Sequence, residues 1–178
     1  RLGNQLLYER NPAGNFLPTT SQPYTMTNFW ERGIGIVTPH RAQQALIVSK
    51  LQSLFPGNAG QGIREAVDTV ERFQGQQRDI ILATFALGDA DSIEQEDEFL
   101  LSLNRFNVMA SRTRAKLIVF VSQEVVNHLS SDIVVLRNST LLKDFVENFC
   151  NLNRPMSLGH IERNNTQRTT HGLFRWRF

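Results

Sequence analysis

Three arginines stand close together in the segment Arg105-Phe106-Asn107-Val108-Met109-Ala110-Ser111-Arg112-Thr113-Arg114-Ala115. A guanidinium presents a planar fork of donors that fits phosphate oxygens, and its flat face stacks on bases. Taken alone, Arg112 and Arg114 read equally well as cations at the end of a helix, where they offset the dipole. Two further segments set polar groups beside apolar runs. One is Thr38-Pro39-His40-Arg41-Ala42-Gln43, and the other is Val67-Asp68-Thr69-Val70-Glu71-Arg72-Phe73-Gln74-Gly75-Gln76-Gln77-Arg78-Asp79. Gly75 permits a tight bend and close backbone approach, although on its own it is an ordinary turn glycine. Metal chemistry finds no support. His128, His160 and His171 lack ligand spacing and cysteine partners. Asp91, Glu94, Asp97 and Glu98 lack the spacing of a calcium loop.

The elements that would position these residues are legible as apolar runs. Ile34 to Thr38, Ala66 to Val70, Ile80 to Phe85 and Leu117 to Val121 read as strands, with Ile133 to Leu136 as a fifth candidate. Helical spacing runs through Ala42, Leu46, Ile47, Leu51 and Leu54, with Pro39 where a helix can begin and Pro56-Gly57-Asn58 as its stop. Leu100 to Ser111 is helical in pattern, Val125 to Leu129 forms at least a turn, and Leu141 to Phe149 closes the ordered part. The stretch 88–98, with six Asp and Glu, reads as an exposed loop. Strands that are continuously apolar are buried on both faces, which implies a mainly parallel sheet covered by helices. Ligands of such sheets gather beyond the carboxyl ends of the strands.

Composition sets the outer bounds. The chain has 178 residues, 40% of them hydrophobic and 20% charged, which suits one globular domain with extensions and argues against global disorder. Cys150 is the single cysteine, so no internal disulfide is possible. No apolar run approaches the roughly 20 residues of a membrane span, so no membrane partner is expected. The net charge of +2 is uneven. Residues 151–178 carry five Arg against one acid, a net of +4, and the remainder nets −2. Arginine outnumbers lysine 16 to 3. These counts alone fit nucleic-acid binding and plain solvated surface charge equally.

In chain order, the three polar segments resemble motifs IV, V/Va and VI of superfamily 1 helicases. The nearest branch holds the nonsense-mediated-decay RNA helicase and related DNA helicases. The resemblance covers about residues 34–150 and implies an α/β RecA-like P-loop NTPase fold, with a mainly parallel sheet flanked by helices. It makes this stretch the second RecA-like domain of a motor, with 1–33 as an irregular N-terminal segment and 151–178 as a basic tail or truncated linker. By resemblance, Arg112 is the catalytic arginine finger, which stabilises charge on the transferring phosphoryl group. Gln74, Gly75, Gln77, Arg112 and Arg114 would contact ATP. The family usually has Glu where this chain has Gln77, which keeps an acceptor and loses a charge. Thr38, Pro39, His40 and Thr69 would contact a single strand of DNA or RNA, since hydroxyls and backbone N–H groups position phosphates without reading sequence. His40 has two readings, a base-stacking platform or a surface residue opening a helix. Gln43 would orient that helix or stand exposed.

No G-x-x-x-x-G-K-[ST] run occurs, nor an Asp-Glu pair after a strand. A P-loop motor needs both to hold phosphates and Mg²⁺. By resemblance they belong to an upstream first RecA-like domain, and a chain opening at Arg1 reads as a fragment. The expectation is therefore the C-terminal motor domain of an ATP-dependent helicase or translocase, inactive by itself, in an intracellular setting (cytoplasm, nucleus or nucleoid). ATP and Mg²⁺ would be held mainly by the upstream domain. The alternative is a non-catalytic RecA-like module that binds nucleic acid or a protein partner. A third possibility is an unrelated α/β phosphate-binding domain.

Overall fold

The computed structural model describes residues 8–10, 16–18, 24–57, 60–73, 77–161 and 165–177. The chain opens with a short antiparallel pair, β1 (Tyr8–Arg10) and β2 (Phe16–Pro18). A helical segment follows, α1 (Met26–Asn28), which widens into a π turn over Phe29–Gly33. Then come β3 (Ile34–Thr38), α2 (Arg41–Leu54), α3 (Gly60–Ala66), β4 (Val67–Thr69) and β5 (Arg78–Thr84). Next are α4 (Ala90–Leu100), α5 (Leu103–Ser111), β6 (Thr113–Phe120), α6 (Gln123–Asn127) and α7 (Ile133–Asp144). A π turn over Phe145–Phe149 extends α7, and β7 (Leu152–Ile161) with β8 (Gln167–Trp176) ends the described chain.

The central sheet has the order β4-β3-β5-β6, and its strand pairs are all parallel. Every residue of β3 is buried, as the unbroken apolar run requires of a strand covered on both faces. One face carries the larger core, where Val37, Phe73, Ile81 and Ala83 meet Ile93, Leu100, Phe106, Met109, Val125, Val135 and Leu142 from α4 to α7. The other face packs Ile34 against Trp30, Ile63 and Ala66. Helices on both faces of a parallel sheet make this the α/β RecA-like arrangement that the resemblance implies. Gly35 faces the larger core. A Cβ there would collide with Phe73, Arg78 and Ile81, so only glycine lets these three close over β3.

Four stretches differ from their sequence-based expectations, each for a physical reason. The acidic stretch 88–98 is mostly helix, not loop. Asp89 caps α4 by accepting from the Ser92 N–H at 2.9 Å, and the buried Ile93 and Leu100 recur at helical spacing beneath the solvated acids. The candidate fifth strand at Ile133 is the first turn of α7. Asp132 accepts from the N–H groups of Val134 and Val135, and Val135, Ser139 and Leu142 form the buried stripe. A strong cap here outweighs the strand preference of a β-branched run. Within 1–33, expected to be irregular, Tyr8–Arg10 and Phe16–Pro18 pair as strands and residues 26–33 are helical, with Trp30 buried. The basic tail forms a β-ribbon, described further below.

Candidate functional site

Parallel strands give the sheet two chemically different ends. At the carboxyl end, Thr38 pairs in register with Thr69, and Thr84 pairs with Phe120. Beyond β3 the backbone stays extended through His40 before α2 begins at Arg41. That geometry folds the first turn of α2 back over the strand tips. Thr38 is fully buried, and its hydroxyl donates to Gln43 Oε1. Gln43 Nε2 donates in turn to Thr84 Oγ1 at 3.2 Å, so one amide bridges two adjacent strands. Gln44 Nε2 ties the same helix to β4 through the Val67 carbonyl at 2.9 Å and Asp68 Oδ1 at 3.1 Å. The Thr69 carbonyl accepts from the Phe73 N–H at 3.0 Å, starting the turn after β4.

A three-layer stack stands beside these tips. The His40 ring lies nearly parallel to Phe99, 6.0 Å between centroids and 21° between planes. On Phe99 sits the Arg105 guanidinium, 3.7 Å from its ring centroid, a cation–π contact. Arg105 also donates to Glu71 Oε1 at 2.7 Å and to the Phe99 carbonyl at 3.1 Å. The Arg105 hydrogen bond holds the Glu71 carboxyl below its ordinary value, although partial burial works against it. Glu96 Oε2 lies 3.4 Å from His40 Nε2, close enough for an ion pair when the imidazole is protonated. The crevice among Pro39, Thr84, Phe99 and Arg105 holds about 10 Å³, less than a ligand needs.

The amino end gathers different residues. Gln77, Arg78 and Asp79 lead into β5, while Arg112 ends α5 and Arg114 stands on β6. The Arg78 N–H donates to the Arg112 carbonyl at 3.0 Å and fastens the two approaches together. Arg114 Nε lies 3.4 Å from Gln77 Oε1, and Arg114 Nη1 lies 3.9 Å from Asp79 Oδ1. The Tyr24 hydroxyl donates to Asp79 Oδ2, and burial together with this carboxylate pushes the phenol pKa upward. Arg78 is buried with its guanidinium 5.3 Å from the Phe73 ring centroid. Burial lowers its pKa, with Glu65 opposing and Arg114 adding to the effect. Arg112 is half-buried, and its Nε atom is buried without a hydrogen-bond partner among the described residues.

The structure thus brings Gln77, Arg112 and Arg114 to one end of the sheet and Thr38, Pro39, His40 and Thr69 to the other. Gln74 and Gly75 lie outside the described residues. Arg105 does not join Arg112. They sit at opposite ends of α5, seven residues apart and about 10 Å along the axis at 1.5 Å per residue. Sequence reading missed Tyr24, Thr84, Glu96, Phe99 and Asp79 as neighbours of these residues. Asp79 had a signal, since it stands two positions after Gln77 on a strand approach and faces the same way. Tyr24 is 55 positions from Asp79 and had none. Among the described residues, no group of three or more His, Cys, Asp or Glu could hold a metal ion. No described helix is long and apolar enough to cross a membrane.

Comparison with known proteins adds the family. The profile described as "AAA domain" matches residues 17–124. The human "Probable helicase senataxin" is 41% identical over 90 residues, which is 51% of this chain and 3% of that protein. The Drosophila melanogaster "Probable RNA helicase armi" is 36% identical over 91 residues, 49% of this chain and 7% of that protein. The Schizosaccharomyces pombe "DNA replication ATP-dependent helicase/nuclease dna2" is 32% identical over 115 residues, 58% of this chain and 8% of that protein. The chain therefore spans less than a tenth of the length of these curated relatives.

Proposed function

The chain belongs to the AAA domain family, and from that premise we propose that it is the C-terminal RecA-like domain of a superfamily 1 ATP-dependent helicase or translocase. In the full-length protein the amino end of its sheet would face ATP held on an upstream RecA-like domain. Its carboxyl end would grip one strand of DNA or RNA. The setting would be intracellular.

The single observation that carries this reading is Arg112 Nε, a buried donor with no partner among the described residues. A buried donor left unsatisfied costs about 1–3 kcal/mol, and Trp30 Nε1 and His40 Nε2 are in the same state. What would favour an anionic oxygen at Arg112 is the company of Gln77 and Arg114. Gln77 and Arg114, already in contact with one another, would take up the rest of the nucleotide. Gln74 and Gly75 join that group by resemblance alone. The donor set fits a triphosphate. It offers no carboxylate cluster among the described residues for Mg²⁺, so the metal ion would be held by the upstream domain. Bound ATP supplies the γ-phosphoryl group that passes to water. Arg112 would stabilise the charge on that group as it transfers, with planar geometry that lysine lacks.

At the other end, the Thr38 hydroxyl is turned inward to Gln43. A strand contact at Thr38 would therefore come from its backbone, whose path the Thr38–Gln43–Thr84 bridge fixes, while Pro39, which lacks an N–H, would offer only its ring. His40 rests one ring face on Phe99, which leaves its other face to continue the stack onto a base. Thr69 is also buried, so a phosphate contact at the neighbouring tip would likewise come from its backbone.

The test is Arg112→Ala in the full-length protein. Strand-stimulated ATP turnover should fall by about 10³-fold or more, in line with other arginine fingers. Affinity for a single strand, measured without nucleotide, should stay within about twofold, because Arg112 is at the far end of the sheet. Unchanged turnover would sink the finger assignment and favour a non-catalytic RecA-like module.

A further inference from the structure

The β7–β8 ribbon runs antiparallel over ten residues per strand, from Leu152 opposite Trp176 to Ile161 opposite Gln167. Its root is fixed to the end of the α7 region. Arg175 Nη1 donates to the Val146 carbonyl at 3.4 Å, and the Arg177 guanidinium lies 4.9 Å from the Phe149 ring centroid. Beyond the root, the ribbon projects with nearly every described residue exposed. Side-chain alternation sorts it into two faces. One face carries Arg154, Met156, Leu158, Arg168, Phe174 and Trp176. On it the Phe174 and Trp176 rings are stacked, 5.2 Å between centroids and 21° between planes. Arg154, directly across from Phe174, holds its guanidinium 5.7 Å from that ring's centroid. Phe174 is 39% exposed and Leu158 is 48% exposed.

We propose that this face is a second binding surface for single-stranded nucleic acid, separate from the strand tips of the central sheet. Arg154 and Arg168 would meet backbone phosphates, and a base would stack on the Phe174–Trp176 pair. Charge selects this occupant. Residues 151–178 hold five Arg and one acid, Glu162. No Asp or Glu occurs among the described residues of the ribbon. A polyanion matches that surface, whereas a typical protein interface would bring mixed charge to it. The cations are all arginine, the type that forks to phosphate and stacks on rings. Aromatic planes beside guanidinium groups are the combination that single strands use, since every base offers a π face. The Arg154–Phe174 contact keeps the fork beside the platform, so phosphate and base can be engaged together. The surface does not depend on the nucleotide reading of Arg112, nor on the strand grip at His40.

The experiment uses the 178-residue chain with a fluorescein-labelled 20-nucleotide oligo-dT or oligo-U, read by anisotropy across a salt series. Intrinsic tryptophan emission is followed in parallel. Trp30 is 2% exposed, so a change on strand addition reports on Trp176. Addition of either oligonucleotide should quench the emission. Replacing both arginines, Arg154→Ala with Arg168→Ala, should weaken binding and flatten the log affinity–log salt slope by about 1.4, at about 0.7 per phosphate contact. Phe174→Leu keeps an apolar side chain but removes the plane. It should weaken binding by about fivefold or more with the salt slope intact, since each stacked base is worth roughly 1–3 kcal/mol. Arg154→Lys, the folding control, should keep the slope. Unchanged affinity and slope in the double arginine variant would overturn the proposal. So would a Phe174→Leu variant that leaves strand affinity intact while converting a dimer to a monomer, since the face would then join two copies of the chain. If His40→Ala weakens binding and the ribbon variants do not, the strand grip stands and the ribbon proposal fails.

Discussion

The two ends of the central sheet satisfy their polar groups in opposite ways. At the carboxyl end the domain completes most of its own bonds, although His40 Nε2 is buried without a hydrogen-bond partner among the described residues, with Glu96 Oε2 3.4 Å away. Thr38, Gln43 and Thr84 form a closed bridge, Gln44 is held by β4, and Arg105 is shared between Glu71 and the Phe99 carbonyl. At the amino end the bonds are unfinished. Arg112 Nε has no partner among the described residues, and Arg114 reaches Gln77 and Asp79 only at 3.4 and 3.9 Å. Both ends rest on one core, so the difference lies in what each expects from outside. A self-completed end positions backbone for a ligand that is gripped and released without rearranging the protein. An end with a half-buried arginine whose Nε lacks a partner among the described residues suits one half of a site, with the other half bringing negative charge.

Three substitutions probe this contrast, in falling order of effect. Phe73 is almost fully buried, lies under Arg78 and closes over Gly35. Phe73→Ala should cost about 3–5 kcal/mol, the range for emptying a core site of this size. Urea denaturation measures it, and a loss below about 1 kcal/mol would mean that the amino end does not rest on this ring. Thr38→Val keeps shape and burial but removes the hydroxyl that Gln43 accepts from. It should cost about 0.5–1.5 kcal/mol, the net worth of one hydrogen bond, because Gln43 is half-buried. A neutral result would break the closed-bridge description of the carboxyl end. Arg112→Ala, measured the same way on this chain, should fall within about ±0.5 kcal/mol or even stabilise, because it removes a donor that is already unpaired. A large loss there would show that Arg112 serves the fold, and the contrast between the two ends would collapse.

Much of this architecture was legible in the residues. The inner strands β3 and β5 carry continuous apolar runs, which burial on both faces explains. The edge strand β4, in contrast, is only Val67-Asp68-Thr69, and the apolar run of the other edge strand, β6, has no fully buried residue. What escaped was set by caps and by distance. Asp89 and Asp132 each start a helix by accepting from backbone N–H groups, and each lies before a stretch whose composition suggested something else. Acid content hid the inner face of α4, and with it Phe99. The run Ile133-Val134-Val135 imitated a strand although its first two side chains are exposed. The ribbon was hidden by Pro155, Gly159 and Gly172, residues that depress a strand signal even where pairing holds. At the site, the expectation that ligands gather beyond the carboxyl ends reached Thr38, His40 and Thr69. It did not reach Gln77 and Arg112, which precede their strands, or Arg114 at the start of β6, and the resemblance alone grouped these. The Tyr24–Asp79 hydrogen bond joins residues too far apart in sequence for any local pattern to register.

The smallest effect sharpens the comparison by pH. Glu71 belongs to the carboxyl end, and its pKa is lowered from 4.5. A carboxylate with a lowered folded pKa favours the folded state above its unfolded value. That contribution is fully present above about pH 4.5 and is lost as pH falls through the folded value. The pair is partly exposed, with the Glu71 side chain at 48%, so solvent screening reduces its worth. Roughly 0.2–0.5 kcal/mol is expected at low ionic strength. The chain and its Glu71→Gln variant should therefore differ by that amount at neutral pH and converge as pH falls through the folded value. Taking the difference between them removes Asp97, another lowered carboxylate whose burial is offset by hydrogen bonds from Ser130 and His128 and which loses its contribution below 3.8. The convergence should also fade at high salt, because an ion pair open to solvent is screened within a Debye length. A difference that persists unchanged once the carboxyl is protonated would mean that the Glu71 carbon chain, and not its charge, supports Arg105. The Arg105 side of the carboxyl end would then be held by packing, and the opposition between the two ends would rest on the Thr38–Gln43–Thr84 bridge.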